Sequence, residues 1–229
     1  MSKICVVVGV GPGNGAACAR RFAADGYVVA MLARGDLSAY ETPTCKAFAC
    51  DVSDAASIAK AFVDLRATFG GDPEVVVYNA GSGVFKDVES ITAEDLESAF
   101  RVNTVGLFHV AREVIPAMKT SGRGAIVVIG ATASRRGGKQ TAAFAPAKAA
   151  QRSLCESMAR SLGPAGIHVA LVVVDGVIDL ERTRERLPDK PDDFFLRPDD
   201  IATTVAAVVA QPRSAWTFEL EVRPFGETW

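Results

Sequence analysis

Val8-Gly9-Val10-Gly11-Pro12-Gly13-Asn14-Gly15 stands between two stretches of opposite character. Before it, the run from Ile4 to Val8 is apolar and rich in β-branched residues, which predicts a short strand buried on both faces. After it, Ala16-Ala17-Cys18-Ala19-Arg20-Arg21-Phe22-Ala23 has helix propensity and one apolar face. Strand, glycine turn and helix together aim backbone N–H groups and the positive end of a helix at one point, a setting suited to a phosphate. Such a turn needs glycine because a Cβ would hold a pyrophosphate away from the backbone. The spacing is Gly9-x3-Gly13-x-Gly15, with Gly11, Pro12 and Asn14 filling the turn, and differs from the common Gly-x-Gly-x-x-Gly. Taken alone, the loop leaves an ordinary tight turn open as the alternative.

The remaining sequence narrows the choice. A chain of 229 residues suits one α/β domain, here 1–229 as a single unit. With 49% apolar residues and a formal net charge of −2, it can build a large core. It has no basic excess for nucleic acid. No apolar run approaches the ~20 residues that span a bilayer. The N-terminus enters a strand almost at once and leaves no room for a signal peptide, so the expected location is cytoplasmic. Cys5, Cys18, Cys45, Cys50 and Cys155 are odd in number and form no C-x-x-C pair. They read as small buried thiols, and no metal site is expected.

Strand-like runs recur at 3–9, 27–33, 45–50, 74–78, 125–130, 168–174 and 217–222, separated by helical patterns at 13–25, 54–69, 93–119, 141–162 and 198–210. Alternation of this kind predicts a doubly wound parallel sheet of about seven strands with helices on both faces. Ligands in such sheets bind at the carboxyl ends of the strands, where the strand order reverses. The residues that would line that edge can be named. Arg34 follows Ala33 at the end of the second strand, where a carboxylate would bind free ribose hydroxyls and an arginine suits a 2′-phosphate. This favours NADP(H) over NAD(H), against the alternative of a solvated loop arginine. Asp51, before Val52, stands where it can accept a hydrogen bond from an adenine amino group, and Ser53 or Asp54 caps the next helix. Asn79-Ala80-Gly81 ends the fourth strand with small residues that let a ribose approach. The charged, proline-punctuated segment 179–197 reads as a mobile lid over a small-molecule substrate pocket. In it, Phe194, Phe195 and Leu196 either close the pocket or anchor the lid.

These pieces, in this order, resemble the short-chain dehydrogenase/reductase family over essentially the whole chain. The glycine loop looks like that family's Gly-x-x-x-Gly-x-Gly turn, with Val8 where a threonine is usual, and Asp51-Val52 resembles its adenine-contacting pair. Tyr78-Asn79-Ala80-Gly81 resembles Asn-Asn-Ala-Gly with its first asparagine lost, and Asn103 fits the active-site asparagine. The resemblance implies a Rossmann-like single domain and hydride transfer between a nicotinamide and a carbonyl or alcohol carbon. It also implies a homodimer or homotetramer built on the helices at 93–119 and 141–162. Gly176-Val177 corresponds to the loop whose backbone contacts the nicotinamide amide, with Asp175 where proline is usual.

The resemblance fails at the reacting centre. A serine and a tyrosine normally hold the substrate oxygen there, and a lysine one turn on binds ribose. Here the tyrosine position is Phe144, the serine position falls at Gly130-Ala131, and Lys148 alone survives. Phenylalanine has no proton to give. An atypical branch of the family shares this phenylalanine, and the ending from Glu219 to Trp229 is similar to that branch. Two readings stay open. One is an oxidoreductase whose proton comes from another group, among Lys148, Thr132, Ser134, Asp175 or a water on Asn103; burial could raise the Asp175 pKa, though a turn residue before Gly176 is its favoured reading. The other is an NADP(H)-binding sensor or partner subunit without turnover; a decayed scaffold would not need Arg34 or Lys148. His109 reads as a packing or interface residue, with a proton relay as the alternative. No partner is evident for His168. Arg135-Arg136-Gly137-Gly138-Lys139 reads as solvated loop charge, with contact to an anionic substrate as the alternative.

Overall fold

Strand β1 (Lys3–Val8) is buried from Ile4 onward, flanked in parallel by β2 (Tyr27–Ala33) and β4 (Val75–Tyr78). With β3 (Cys45–Ala49), β5 (Gly124–Ala131), β6 (Ile167–Val174) and β9 (Glu219–Val222), they form a seven-stranded sheet ordered β3-β2-β1-β4-β5-β6-β9. All its pairings are parallel. The computed structural model describes residues 2–226. Glu227, Thr228 and Trp229, which end the tail singled out in the sequence, lie outside the described residues.

The alternation of side chains along each strand builds two cores. Cys5 and Val7 point to one face, where Phe22 of α1 (Asn14–Ala24) and Ile201 and Val205 of α7 (Pro198–Val209) cover them. Val6 and Val8 point to the other, against Phe62 and Leu65 of α2 (Ala55–Phe69), Leu107 and Val114 of α4 (Gly106–Ser121), and Cys155 of α5 (Phe144–Leu162). Chain order reverses between β1 and β4, so the glycine turn after β1 opens at the crevice that the sequence pattern anticipates. Asp54, not Ser53, is the cap of α2: its carboxylate accepts from Ala56 N at 2.9 Å.

Two segments differ from their sequence expectation. The single helix expected over 93–119 is α3 (Ala93–Phe100), a π-helical turn (Arg101–Val105), and then α4. The turn is held from outside: Tyr78 Oη donates to Val102 O at 2.5 Å, and Gln151 Nε2 donates to Asn103 O at 2.6 Å. Partners from β4 and α5 thus satisfy carbonyls that a regular helix would bond internally. The expected lid is also a built unit and not an irregular connection. β7 (Val177–Ile178) pairs in parallel with β8 (Phe195–Leu196), and α6 (Glu181–Arg186) lies between them. Arg184 clamps Asp179 at 2.7 and 2.9 Å, reaches Asp192 at 2.6 Å and covers the Phe195 ring. Phe195 and Leu196 are buried, so they anchor the segment.

His168 proves to have partners. Its Nε2 meets Thr217 O at 2.8 Å and its ring stacks on Trp216, with centroids 4.8 Å apart. Burial pushes its pKa down, and the bond to a carbonyl oxygen makes Nε2 the protonated nitrogen. Among the described residues, no helix is long and apolar enough to cross a membrane.

Candidate cofactor and substrate site

The glycine turn is shaped by its own backbone. Gly9 has φ +87°, and a Cβ there would lie 2.5 Å from Ala80 Cα and N. A Cβ on Gly15 would lie 2.6 Å from Gly9 O, and Asn79 Nδ2 donates to that same oxygen at 2.7 Å. Asn79 therefore holds the loop against the end of β4. Gly11 has nothing within 4 Å of its Cβ position and faces open space. Gly13 is covered by Leu180, whose Cδ2 would stand 2.9 Å from a Cβ, so the start of α6 rests on the turn. The Asn14 side chain is buried, with Oδ1 lacking a hydrogen-bond partner.

Beside the turn, Arg34 is exposed at the end of β2 and has no hydrogen-bond or ion-pair partner among the described residues. Its charge acts on Asp51, whose carboxyl is held below the usual range chiefly by hydrogen bonds from Ser53 N and Oγ, and also by Arg34. These bonds, at 2.9 and 2.7 Å, both fall on Oδ1 and leave Oδ2 outside them. A free cation, a carboxylate and an open glycine turn thus line one edge of the sheet. That is the donor set a phosphorylated adenine nucleotide requires.

Further along the edge, Lys148 is buried on α5 and donates to Ile129 O and to Gln151 Oε1, each at 2.9 Å. Burial pushes its pKa down to about 8. Asn103 is fully buried in the π-helical turn, with Nδ2 bonded to Ser82 O and Ala99 O and Oδ1 without a partner among the described residues. Asn103 Oδ1 and Lys148 Nζ lie 3.4 and 3.8 Å from a Cβ position on Gly81, so the strand ends bring together residues from β4, the turn and α5. Val177 lies in β7, and Gly176 borders the neighbouring cleft.

That cleft, of about 320 Å³, is lined by Phe85, Ala131, Thr132, Arg136, Phe144 and Val174 among others. Phe144 opens α5 and packs against Phe85 with centroids 5.3 Å apart, giving the cleft an aromatic wall. The candidate hydroxyls are occupied. Thr132 Oγ1 donates to Asp175, and Ser134 Oγ, buried, accepts from Ala131 N at 3.1 Å.

Asp175 corrects an expectation. Burial does push its pKa up, but hydrogen bonds from Thr132 and Arg223, and the charges of Arg223 and Arg136, outweigh burial and hold it below the usual carboxylate range. It is an ionised anchor, not a proton donor. Arg135 binds Glu219 and Glu221 of β9, so this part of the basic cluster is tied to the sheet. His109 lies edge-on against Phe108 on the outer part of α4 and does not join the site. Gln151 and Tyr78 are the buried groups that sequence reasoning passed over.

The comparisons agree with this geometry. A sequence model of the family described as short chain dehydrogenase matches residues 3–190. The chain is 32% identical over 184 residues to the 3-oxoacyl-[acyl-carrier-protein] reductase MabA of Mycobacterium tuberculosis, covering 80% of this chain and 72% of that protein. Its fold is similar to that of a short-chain dehydrogenase from Rhodopseudomonas palustris, with a TM-score of 0.82 and 30% identity over 97% and 99% of the two chains. It is also similar to a metagenomic short-chain oxidoreductase in complex with NADP, with a TM-score of 0.84 and 28% identity over 98% of each chain.

Proposed function

The chain belongs to the short-chain dehydrogenase family, and from that membership we propose that it binds NADP(H) in preference to NAD(H) and interconverts a carbonyl and an alcohol on a small molecule. The observation that carries the cofactor reading is Arg34, exposed beside Asp51 and without a protein partner among the described residues. When bound, the nicotinamide supplies or takes the hydride. Gly9, Gly11, Pro12, Gly13, Asn14 and Gly15 would form the turn for the pyrophosphate, and Asp51-Val52 would hold the adenine. Asn79-Ala80-Gly81, Lys148 and Gly176-Val177 would hold the nicotinamide ribose and amide.

With Phe144 at the tyrosine position the site has no phenol, so the proton must come from elsewhere. Asp175 is ionised, the Thr132 hydroxyl donates its hydrogen bond to Asp175, and the Ser134 hydroxyl is buried, accepting from Ala131 N. Lys148 is the source in this reading: near neutral pH its Nζ carries a proton that burial makes easier to release. Phe85, Phe144 and Val174 present an apolar wall to the substrate. A second reading, a nucleotide-binding sensor without turnover, is favoured by one observation: neither Ala131 nor Phe144 carries a hydroxyl. In either reading, the helices bearing Asn103 and Lys148 provide the seam of a homo-oligomer.

Fluorescence titration with NADPH and NADH tests the cofactor assignment. A charge-assisted hydrogen bond of about 1.5–3 kcal/mol to the 2′-phosphate corresponds to NADPH binding roughly 10- to 150-fold more tightly. Arg34→Asp should reverse the order, and equal affinities in the unmodified protein would sink the assignment. Phe144→Tyr separates an enzyme that only lacks its phenol from a site built otherwise. We expect it to raise carbonyl reduction by less than about tenfold, because Ala131 still offers no second hydroxyl to the substrate oxygen. A gain of several hundredfold would show that the phenol was all the site lacked.

A further inference from the structure

A lysine ammonium has three N–H donors. For Lys148 two are taken inside the protein, by Ile129 O and Gln151 Oε1. Gln151 has no solvent exposure, and both ends of its amide are used: Oε1 accepts from Lys148 at 2.9 Å while Nε2 donates to Asn103 O at 2.6 Å. One amide therefore sets the separation between the buried ammonium and the π-helical turn that carries Asn103. Packing alone does not call for an amide here. An apolar side chain of the same size would leave Lys148 with one protein acceptor and take from Asn103 O the donor that Gln151 supplies, both in full burial. Unpaired buried polar groups are destabilising.

We propose that Gln151 is a positioning residue for Lys148: it locks the ammonium to the π-helical turn and closes it from behind, so that the one remaining N–H serves the ligand on the Gly81 side. This rests on the reading of Lys148 as a ribose-binding and proton-giving group. It adds that a proton lost from Nζ toward the ligand returns by the same side, since the two rear donors end on Ile129 O and on an amide that is itself bonded onward. Besides these neutral groups, Cys155 further along α5 acts on Lys148; burial pushes its thiol up to about 12, so it stays uncharged through neutral and mildly alkaline pH.

The test measures NADPH affinity by fluorescence as a function of pH in Gln151→Met, Gln151→Glu and Lys148→Met, with thermal unfolding alongside. Methionine keeps the length and removes both hydrogen bonds. It should weaken NADPH roughly tenfold, the equivalent of one hydrogen bond, and move the pH above which affinity falls to a lower value, because the ammonium has lost an acceptor. Glutamate should move that midpoint upward, because a carboxylate favours the charged amine. Its acceptor oxygen keeps the measurement available if the methionine variant does not fold. Changed melting with both midpoints unmoved would make Gln151 a packing residue and overturn the proposal. Should Lys148→Met bind NADPH as the unmodified protein does at every pH, the reading of Lys148 falls first and takes the proposal with it.

Discussion

Lys148→Met should reduce carbonyl turnover by about 10²–10⁴, the range typical of a lost general acid, in a protein that still folds. The buried amine makes its two protein hydrogen bonds at a cost in desolvation, and burial has already pushed its pKa down to about 8. Methionine fills a similar volume and removes that penalty but leaves Gln151 Oε1 without its donor, so stability should fall by no more than one lost hydrogen bond while catalysis collapses. The pH dependence carries a sign. Reduction needs the protonated amine, so kcat/KM for reduction should fall as pH rises through about 8. Oxidation of the corresponding alcohol needs the neutral amine and should rise through the same range. Reduction that stays level across that range, or a Lys148→Met variant that keeps its turnover, would move the proton source to another group. Absence of turnover in the unmodified protein, with tight NADPH binding intact, would favour the sensor.

How much of this was legible beforehand depended on sequence distance. The glycine turn, the β-branched runs and the helical patterns are local signals, and they yielded the sheet and the strand edge where the site lies. Arg34, Asp51 and Lys148 were legible because each sits at a fixed offset from the end of a strand or the start of a helix. The π-helical turn was not, because its causes are Tyr78 on β4 and Gln151 on α5, and neither has a local signature. The proton-donor alternative for Asp175 fails for a related reason. Its burial is readable from a turn beside an apolar strand, but Arg223, 48 residues away along the chain, reverses the effect of that burial. The segment 179–197 looked irregular by composition, yet β7 and β8 pair within it and the Arg184 clamp closes over them. Pairing of two-residue strands leaves almost no periodicity to detect.

The glycines of the turn divide into two kinds, and substitution should separate them. At Gly9 an alanine would have to adopt φ +87°, at about 1–2 kcal/mol for a left-handed residue. Its Cβ would also press within 2.5 Å of Ala80 Cα and N, which are backbone atoms at the end of β4 and cannot swing aside. Displacing them adds roughly 1–3 kcal/mol of overpacking, and in a chain of this size the total corresponds to a melting temperature lower by on the order of 10 °C. Gly9→Ala should therefore lose stability whether or not a nucleotide is present, and with it the Asn79 bond to Gly9 O that fixes the turn. Gly11 is the contrast. It has no positive φ and nothing within 4 Å of its Cβ position, so Gly11→Ala should melt within about 0.5 kcal/mol of the unmodified protein. If Gly11→Ala nevertheless weakens NADPH, the crowding that demands glycine there comes from the ligand, and the open side of the turn is where the pyrophosphate lies. Equal melting of the two variants would show that the fold does not depend on the close approach of Gly9 to β4. Full nucleotide affinity in Gly11→Ala would move the pyrophosphate away from that side of the turn.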